Sequence, residues 1–372
     1  MKRKTFYFLI VMVLFSMLGS WFLADIGIDA LYGNNPFQFF ADSNTYIATY
    51  EGRDLRFDGN LIGISNNYLG PITVLTLLGG NNYLVLIFNV AVFSLSIIWI
   101  TRLLRVNALL VGLLLLISPL TVSTLLSVNK EIFVFPFLAA ALHSYSRRSL
   151  VGFCLAILFA ILTRWQLVMF YFIVLVALQI RSAQHRWILI VCLLVAASIA
   201  YVAASSFLAP VTEAARYSID TYTGGGSGLF EAMLSLQDRG LYILAFPIKA
   251  LHLMFGLGLK LNSILEPVEV YNDLFVGGYC LVMLFVAVCL ALRREFTMRS
   301  DLFYMSVVFL VIFCATPIFA PRYLYLVYVL WVLMLVGAER ALPRLRRRRQ
   351  PTMAQPPSHS PTSLPRAQQD AI

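Results

Sequence analysis

Long apolar runs recur along this chain from residue 6 to residue 338, and they limit what it can fold into. Charged residues make up only 12% of the 372 residues, whereas about a quarter is typical of soluble domains. So few charged side chains cannot cover a protein of this size in water. The sequence therefore excludes a soluble domain, a disordered chain and a secreted disulfide scaffold. It predicts a polytopic membrane protein built of α-helices, whose backbone groups are hydrogen-bonded within each helix.

The apolar segments predict an all-α transmembrane bundle of about ten spans. The predicted spans are residues 6–23, 82–101, 107–127, 131–146, 150–163, 165–180, 187–208, 274–292, 302–319 and 323–338. We interpret the first as a retained span rather than a cleaved signal peptide. Two further apolar stretches, 69–79 and 241–260, are predicted to be re-entrant or interface-lying helices. The second carries Lys249 and His252 on one face, where they could touch an acceptor.

The distribution of charge predicts the orientation of the chain. With the spans above, one side of the membrane holds 19 Lys and Arg residues against four acids, and the other holds nine against 14. The positive-inside rule makes the basic side cytoplasmic, with both termini there. The net charge of +10 is thus a topology signal, and it does not indicate nucleic-acid binding. The predicted membrane domain is 1–343, with outer loops 25–68 and 209–273. Residues 344–372 are predicted to be a disordered tail whose arginines bind anionic lipid.

The unusual polar residues gather on the predicted outer side. Asp42 lies in the first outer loop, Lys130 and Glu131 in the turn before the fourth span, Arg164 in the turn after the fifth, and Arg322 before the last. Residues 150–163 make a helix of about 21 Å, which is shorter than a hydrocarbon core of about 30 Å. We therefore expect Arg164 to lie below the membrane surface, facing a water-filled recess or an anionic partner.

Three cations and a carboxylate in one recess suit a lipid-linked sugar phosphate. Arginine binds phosphate bidentately, and lysine supplies a point charge. A carboxylate, here Asp42, would accept the proton of the acceptor hydroxyl as it attacks the anomeric carbon. Each residue also has a purely structural interpretation: Asp42 as a cap, Lys130 and Glu131 as an interfacial pair, and Arg322 as a side chain that reaches the outer headgroups.

At these residues the chain resembles the multispan lipid-sugar-dependent glycosyltransferases of the GT-C type and the related bacterial polysaccharide polymerases. The resemblance rests on Asp42 with Tyr46, on Lys130-Glu131, on Arg164-Trp165-Gln166 and on Arg322-Tyr323. It implies that Asp42 is catalytic and that the substrate is bound by Tyr46, Lys130, Glu131, Arg164, Gln166, Arg322 and Tyr323. The chain departs from the family where Asp42 is followed by Ser43 rather than by a second acid, which leaves the base open between Asp42, Asp25 and Asp29.

The sequence thus predicts an enzyme of the bacterial inner membrane in cell-surface polysaccharide synthesis. It would transfer a sugar from a polyprenyl-phosphate-linked donor to a glycan or lipid-linked acceptor on the extracytoplasmic face. No cofactor and no metal site is indicated. A repeat-unit polymerase is an alternative. A transporter or lipid-carrier flippase is disfavoured because the middle regions of the spans carry almost no charge.

Overall fold

The chain is described from a computed structural model, which covers residues 2–26, 41–52, 67–203, 228–256, 274–316 and 321–338. Over these residues the fold is helical and contains no strand. The helices are α1 (Lys2–Ile26), α2 (Ala41–Tyr50), α3 (Leu69–Leu77), α4 (Asn82–Leu104), α5 (Ala108–Leu116), α6 (Pro119–Leu126), α7 (Val134–Arg147), α8 (Leu150–Thr163), α9 (Gln166–Ala177), α10 (Ala183–Ala203), α11 (Gly228–Asp238), α12 (Tyr242–Phe255), α13 (Gly277–Leu292), α14 (Asp301–Ala315) and α15 (Tyr325–Leu335). Short 3₁₀ turns at Lys130–Phe133 and Pro321–Leu324 precede α7 and α15.

Four helical segments of the described chain are long and apolar enough to cross a membrane. They are Arg3–Asp25, Asn82–Leu104, Ala183–Ala203 and Leu274–Leu292. Many of their outward side chains are large and apolar, such as Met17 and Leu95, which are 65% and 68% exposed. Such surfaces suit contact with lipid tails. The all-α class and the membrane-compatible helices are therefore confirmed, whereas the ten crossings and the GT-C-like arrangement stay predictions.

The predicted span 107–127 is not one straight helix. It divides into α5 and α6, which meet at an angle of 92°. Pro119 has no N–H to donate and disfavours the helical conformation at Ser118, whose φ of −73° and ψ of 120° are extended. The apolar composition of both halves hides this break in the hydropathy of the sequence. Residues 107–127 are thus a broken span or a re-entrant segment.

The centre of the bundle is α15, in which every residue from Tyr325 to Met334 is buried. Helices α5, α13 and α14 pack against it, and α8 packs along α7. Two hydrogen bonds join α15 to the broken segment: a buried one between Thr121 and the Tyr325 hydroxyl at 2.6 Å, and a partly buried one from the Tyr328 hydroxyl to the Leu114 carbonyl at 2.5 Å. The last predicted span is therefore the element around which the others are arranged.

One end of the bundle is fixed by a buried arginine. Arg186, 2% exposed, donates to the carboxylate of Asp301 and to the carbonyls of Ile180 and Met298. The hydroxyl of Tyr145 donates to the other oxygen of Asp301 at 3.1 Å. These contacts join the start of α10, the start of α14 and the end of α7. The residues belong to the side that the sequence predicted to be cytoplasmic, and the structure places them together.

Helix α12 differs from the predicted interface-lying helix. Its outward face is apolar and includes Leu244 and Leu251, whereas Lys249 is 1% exposed and lies inside the protein. The Lys249 ammonium donates to Gln237 Oε1 at 2.8 Å and to the Thr316 carbonyl at 2.7 Å. An amphipathic interfacial helix would present its charge to water. Lys249 instead binds the side-chain oxygen of Gln237 and one backbone carbonyl left open at the end of α14, so its charge is buried inside the protein. A re-entrant helix and a contact with an acceptor stay predictions.

Candidate functional site

Glu131 and Arg164 form a buried ion pair between two turns of the bundle. Their exposed fractions are 2% and 6%, and Arg164 Nη2 donates to Glu131 Oε1. Asn129 caps the turn that carries Glu131 by accepting from its N–H at 3.2 Å. Arg164 adopts an extended backbone, with φ of −166°, between α8 and α9. Helix α8 thus ends, and α9 begins, where the arginine can reach Glu131. The depth of Arg164 below a membrane surface stays a prediction.

Tyr323 lies between two arginines. The guanidinium carbon of Arg164 is 4.0 Å from the centre of its ring, and that of Arg322 is 5.6 Å from the same centre. A guanidinium over an aromatic ring is attracted by the negative face of the ring. The 3₁₀ turn Pro321–Leu324 thereby brings Arg322 and Tyr323 to the ion pair. The structure thus unites four of the predicted site residues: Glu131, Arg164, Arg322 and Tyr323.

A small pocket opens at this cluster. Its polar lining consists of Glu131, Thr163, Arg164, Arg322, Tyr323 and Tyr325, and its apolar lining includes Leu167, Phe309 and Phe313. The enclosed space within it is about 10 Å³, which is room for about one water molecule and far below the range of about 300–1,000 Å³ usual for sites that enclose a ligand. A phosphate or a sugar would therefore need the side chains around the pocket to move apart. Glu131 Oε2, which is buried, accepts no hydrogen bond from the described residues.

Lys130 belongs to a neighbouring group of residues and does not line this pocket. Its ammonium is 6.0 Å from the centre of the Tyr46 ring, and Tyr46 packs edge-on against Tyr68 at 5.2 Å. Ser43 donates to the Val128 carbonyl at 2.7 Å, which holds α2 against the segment before Lys130. The structure therefore brings Lys130 near Tyr46, but neither residue lines the pocket with Arg164 and Arg322.

The structure gives less information about the remaining predicted residues. Asp42 lies in the first turn of α2, and its side chain is outside the described residues, as is all of Asp29. Asp25 lies near the end of α1 and is exposed. Gln166 begins α9 but is not part of the pocket lining. The choice of the base between Asp42, Asp25 and Asp29 therefore stays open.

The sequence did not point to two residues, Tyr325 and Gln237, that make buried polar contacts in the structure. Tyr325 lines the pocket while its hydroxyl bonds to Thr121, a residue 204 positions away. Gln237 is fully buried and links Lys249 to the end of α14, because its Nε2 also donates to the Ala315 carbonyl at 3.1 Å. Both roles depend on contacts between distant segments. No local pattern in the sequence distinguishes these residues from ordinary packing residues.

Within the described ranges, no group of three or more His, Cys, Asp or Glu side chains could hold a metal ion. Several acids of the first outer loop lie outside those ranges, so the absence of a metal stays a prediction. No protein-family model, curated protein sequence or solved structure matches this chain.

Proposed function

We propose that this chain is a membrane glycosyltransferase that moves a sugar from a polyprenyl-phosphate-linked donor to a glycan or lipid-linked acceptor. The observation that carries the proposal is the pocket in which Arg164, Arg322, Tyr323 and Glu131 meet among apolar helices. Two guanidinium groups and one carboxylate leave a net positive charge in a largely apolar surrounding. Such a pocket favours an anionic group that is attached to a lipid.

The two arginines would have different roles. Arg164 already shares its charge with Glu131, so an entering phosphate would have to compete with that carboxylate. We assign the phosphate to both arginines, and we assign to Arg164 the further role of orienting Glu131 and the ring of Tyr323. Charge that builds up on the departing phosphate would be stabilised by Arg322 in the transition state. Lys130, beside Tyr46, would contact the same substrate from the neighbouring group.

The transfer itself needs a base. The acceptor hydroxyl would attack the anomeric carbon, the bond from that carbon to the phosphate oxygen would break, and the hydroxyl proton would pass to a carboxylate. We assign this role to Asp42. Its helix α2 is held against the turn of Lys130 by the bond from Ser43 to the Val128 carbonyl. The proposed location is the bacterial inner membrane, with the pocket on the outer face, both termini in the cytoplasm and no resident metal.

The test is the restoration of glycan synthesis in a strain that lacks the gene. The wild-type chain should remove the lipid-linked intermediates that accumulate in the deletion strain, as measured by mass. Arg322→Ala and Asp42→Asn should each lower transfer by about 100-fold or more, while membrane insertion stays normal. Arg239→Ala is the matched control, because Arg239 is exposed outside the pocket and should retain full transfer. A deletion strain without accumulated intermediates, or a fully active Arg322→Ala variant, would contradict the proposal.

A further inference from the structure

Three helices of this chain end on an arginine in the left-handed backbone conformation. Arg105 after α4, Arg148 after α7 and Arg294 after α13 have φ of 57°, 49° and 55°, and no other non-glycine residue of the described chain has a positive φ. In this conformation Cβ crowds the following carbonyl, so glycine is the residue usually found there. Arginine at all three positions therefore requires an explanation other than backbone geometry.

The hydrogen bonds that close the ends of α4 and α13 require a residue in the left-handed conformation. After α4, the Val106 N–H donates to the Thr101 carbonyl at 3.1 Å, and after α13 the Glu295 N–H donates to the Leu290 carbonyl at 3.0 Å. These are the closing hydrogen bonds of Schellman motifs, which place one left-handed residue past the helix. Glycine takes this position after α11, α12 and α15, at Gly240, Gly256 and Gly337, with φ of 75°, 64° and 80°. The end of α15 lies beside the arginines, since Arg293 donates to the Leu335 carbonyl at 2.8 Å, so glycine and arginine both occur at this end of the bundle.

The three helix ends lie on one face of the bundle. Trp99 near the end of α4 donates to His143 near the end of α7 at 3.4 Å, and Tyr145 of α7 bonds to Asp301, shortly after Arg294. Each end carries a second exposed arginine, so the surface consists of Arg102, Arg105, Arg147, Arg148, Arg293 and Arg294. The acids nearby are Glu295, which is partly buried, and Asp301, which is held by Arg186. This six-arginine surface is therefore strongly positive.

The helix dipole does not account for the three left-handed arginines. A cation near the end of a helix interacts favourably with the dipole, but Arg102 and Arg147 already lie in the last turns of α4 and α7. Helix α4 and the segment that ends in α13 are also long and apolar enough to cross a membrane. Arginines at their ends thus lie where lipid headgroups begin, and a guanidinium binds a phosphate bidentately.

We infer that the six-arginine surface is a binding site for anionic phospholipid headgroups, and that Arg105, Arg148 and Arg294 are retained for this contact at the expense of backbone strain. This inference does not depend on the proposed enzymatic function. It predicts the effect of replacing these three arginines by glycine, a substitution that both relieves the backbone strain and removes the charge. A purely structural role and a lipid-binding role therefore predict different results.

The experiment compares the full-length chain with R105G/R148G/R294G in nanodiscs of phosphatidylcholine, with or without phosphatidylglycerol. The wild-type unfolding midpoint should be higher in discs with phosphatidylglycerol, and the triple variant should lose that increase. In phosphatidylcholine alone, the variant should unfold at the same temperature as the wild type or a higher one. Its preference for retaining phosphatidylglycerol during delipidation, measured by mass, should fall by about fivefold for each arginine removed.

R239G is the matched control, because Arg239 is exposed at the other end of the bundle and has no left-handed backbone. It should keep the full response to phosphatidylglycerol. The inference is overturned if the triple variant keeps that response, or if it unfolds at a lower temperature in phosphatidylcholine alone. A rise in the midpoint with soluble glycerol phosphate equal to that with the lipid would also overturn it. So would an acidic protein that copurifies with the wild type only, with no effect of phosphatidylglycerol.

Discussion

At the scale of single residues, Glu131 and Arg164 are two largely buried charges in the wall of a small pocket. Each ion compensates the charge of the other, and the loss of one partner leaves an uncompensated charge inside the protein. This dependence separates a structural ion pair from two independent ligands of a substrate. It also explains how an arginine can be held among the apolar side chains of α8 and α9.

We expect Glu131→Gln and Arg164→Gln each to lower the free energy of unfolding by about 3–5 kcal/mol, because each leaves the other ion unpaired. The double variant should lose less than the sum, with a coupling of about 1–3 kcal/mol. Denaturant unfolding of the purified protein in detergent micelles measures all four forms. Arg239→Gln, at an exposed position, should change stability little. Additive losses in the cycle would show that the two side chains do not interact.

The sequence pointed to Glu131, Arg164 and Arg322, which the structure brings together, but not to the different position of Lys130. The shared outer side and the short spans predict one recess lined by Lys130, Arg164 and Arg322. In the 3₁₀ turn the two adjacent residues contact different neighbours: Glu131 reaches Arg164, and Lys130 lies near the ring of Tyr46. The direction of a side chain in a single turn of 3₁₀ helix depends on the packing around it. Hydropathy and motif spacing carry no information about that direction.

At the scale of elements, the short helix α3 packs against both parts of the chain that carry the ion pair. A Cβ atom on Gly70 would lie 2.1 Å from the Leu162 carbonyl oxygen and 2.9 Å from the ring of Phe133. Leu162 is two residues before Arg164, and Phe133 is two residues after Glu131. The absence of a side chain at Gly70 therefore allows α3 to approach the end of α8.

Gly70→Ala should push α3 away from α8 and lower the free energy of unfolding by about 1–3 kcal/mol, since a backbone oxygen cannot rotate aside. The control is Gly19→Ala, where the new methyl group would meet only the ends of the Leu126 and Leu86 side chains. These can adopt other rotamers, so the loss should be smaller. Thermal unfolding in the same detergent compares the two variants. Equal losses would mean that the contact with Leu162 does not limit the packing of α3.

Hydropathy located most elements but not their breaks. The predicted segment 150–163 matches α8 residue for residue, because its ends are marked by Ser149, which caps the helix, and by Arg164. Hydropathy did not reveal the bend in the segment 107–127, because Ser118 and Pro119 divide it into two halves that are both apolar. Helix α12 shows a second limit. The charged residues within its apolar sequence suggested a re-entrant or interface-lying helix, but the contacts of Lys249 with Gln237 and Thr316 could not be foreseen from composition.

At the scale of the whole molecule, the polar groups divide into two sets at opposite ends of α14. Arg186 and Tyr145 bind Asp301 at its start, while Phe309 and Phe313, further along the helix, line the pocket with Arg322. The charge count of the sequence predicted this division, since it assigned the two sets to different sides of a membrane. The fold alone does not determine which set faces the cytoplasm, so the orientation in the membrane stays a prediction.

Labelling of single cysteines in intact cells tests that orientation. After replacement of the five native cysteines by serine, a cysteine at Arg148 or Arg294 should react with a membrane-impermeant maleimide only in permeabilised cells. A cysteine at the exposed positions Glu51 or Arg239 should react in intact cells. The physical reason is the excess of arginine near the first pair, which opposes translocation across the bilayer. Reaction of all four positions from one compartment would contradict the two-ended arrangement. A reversed pattern would place the pocket in the cytoplasm, where a donor presented on the outer face could not reach Arg322.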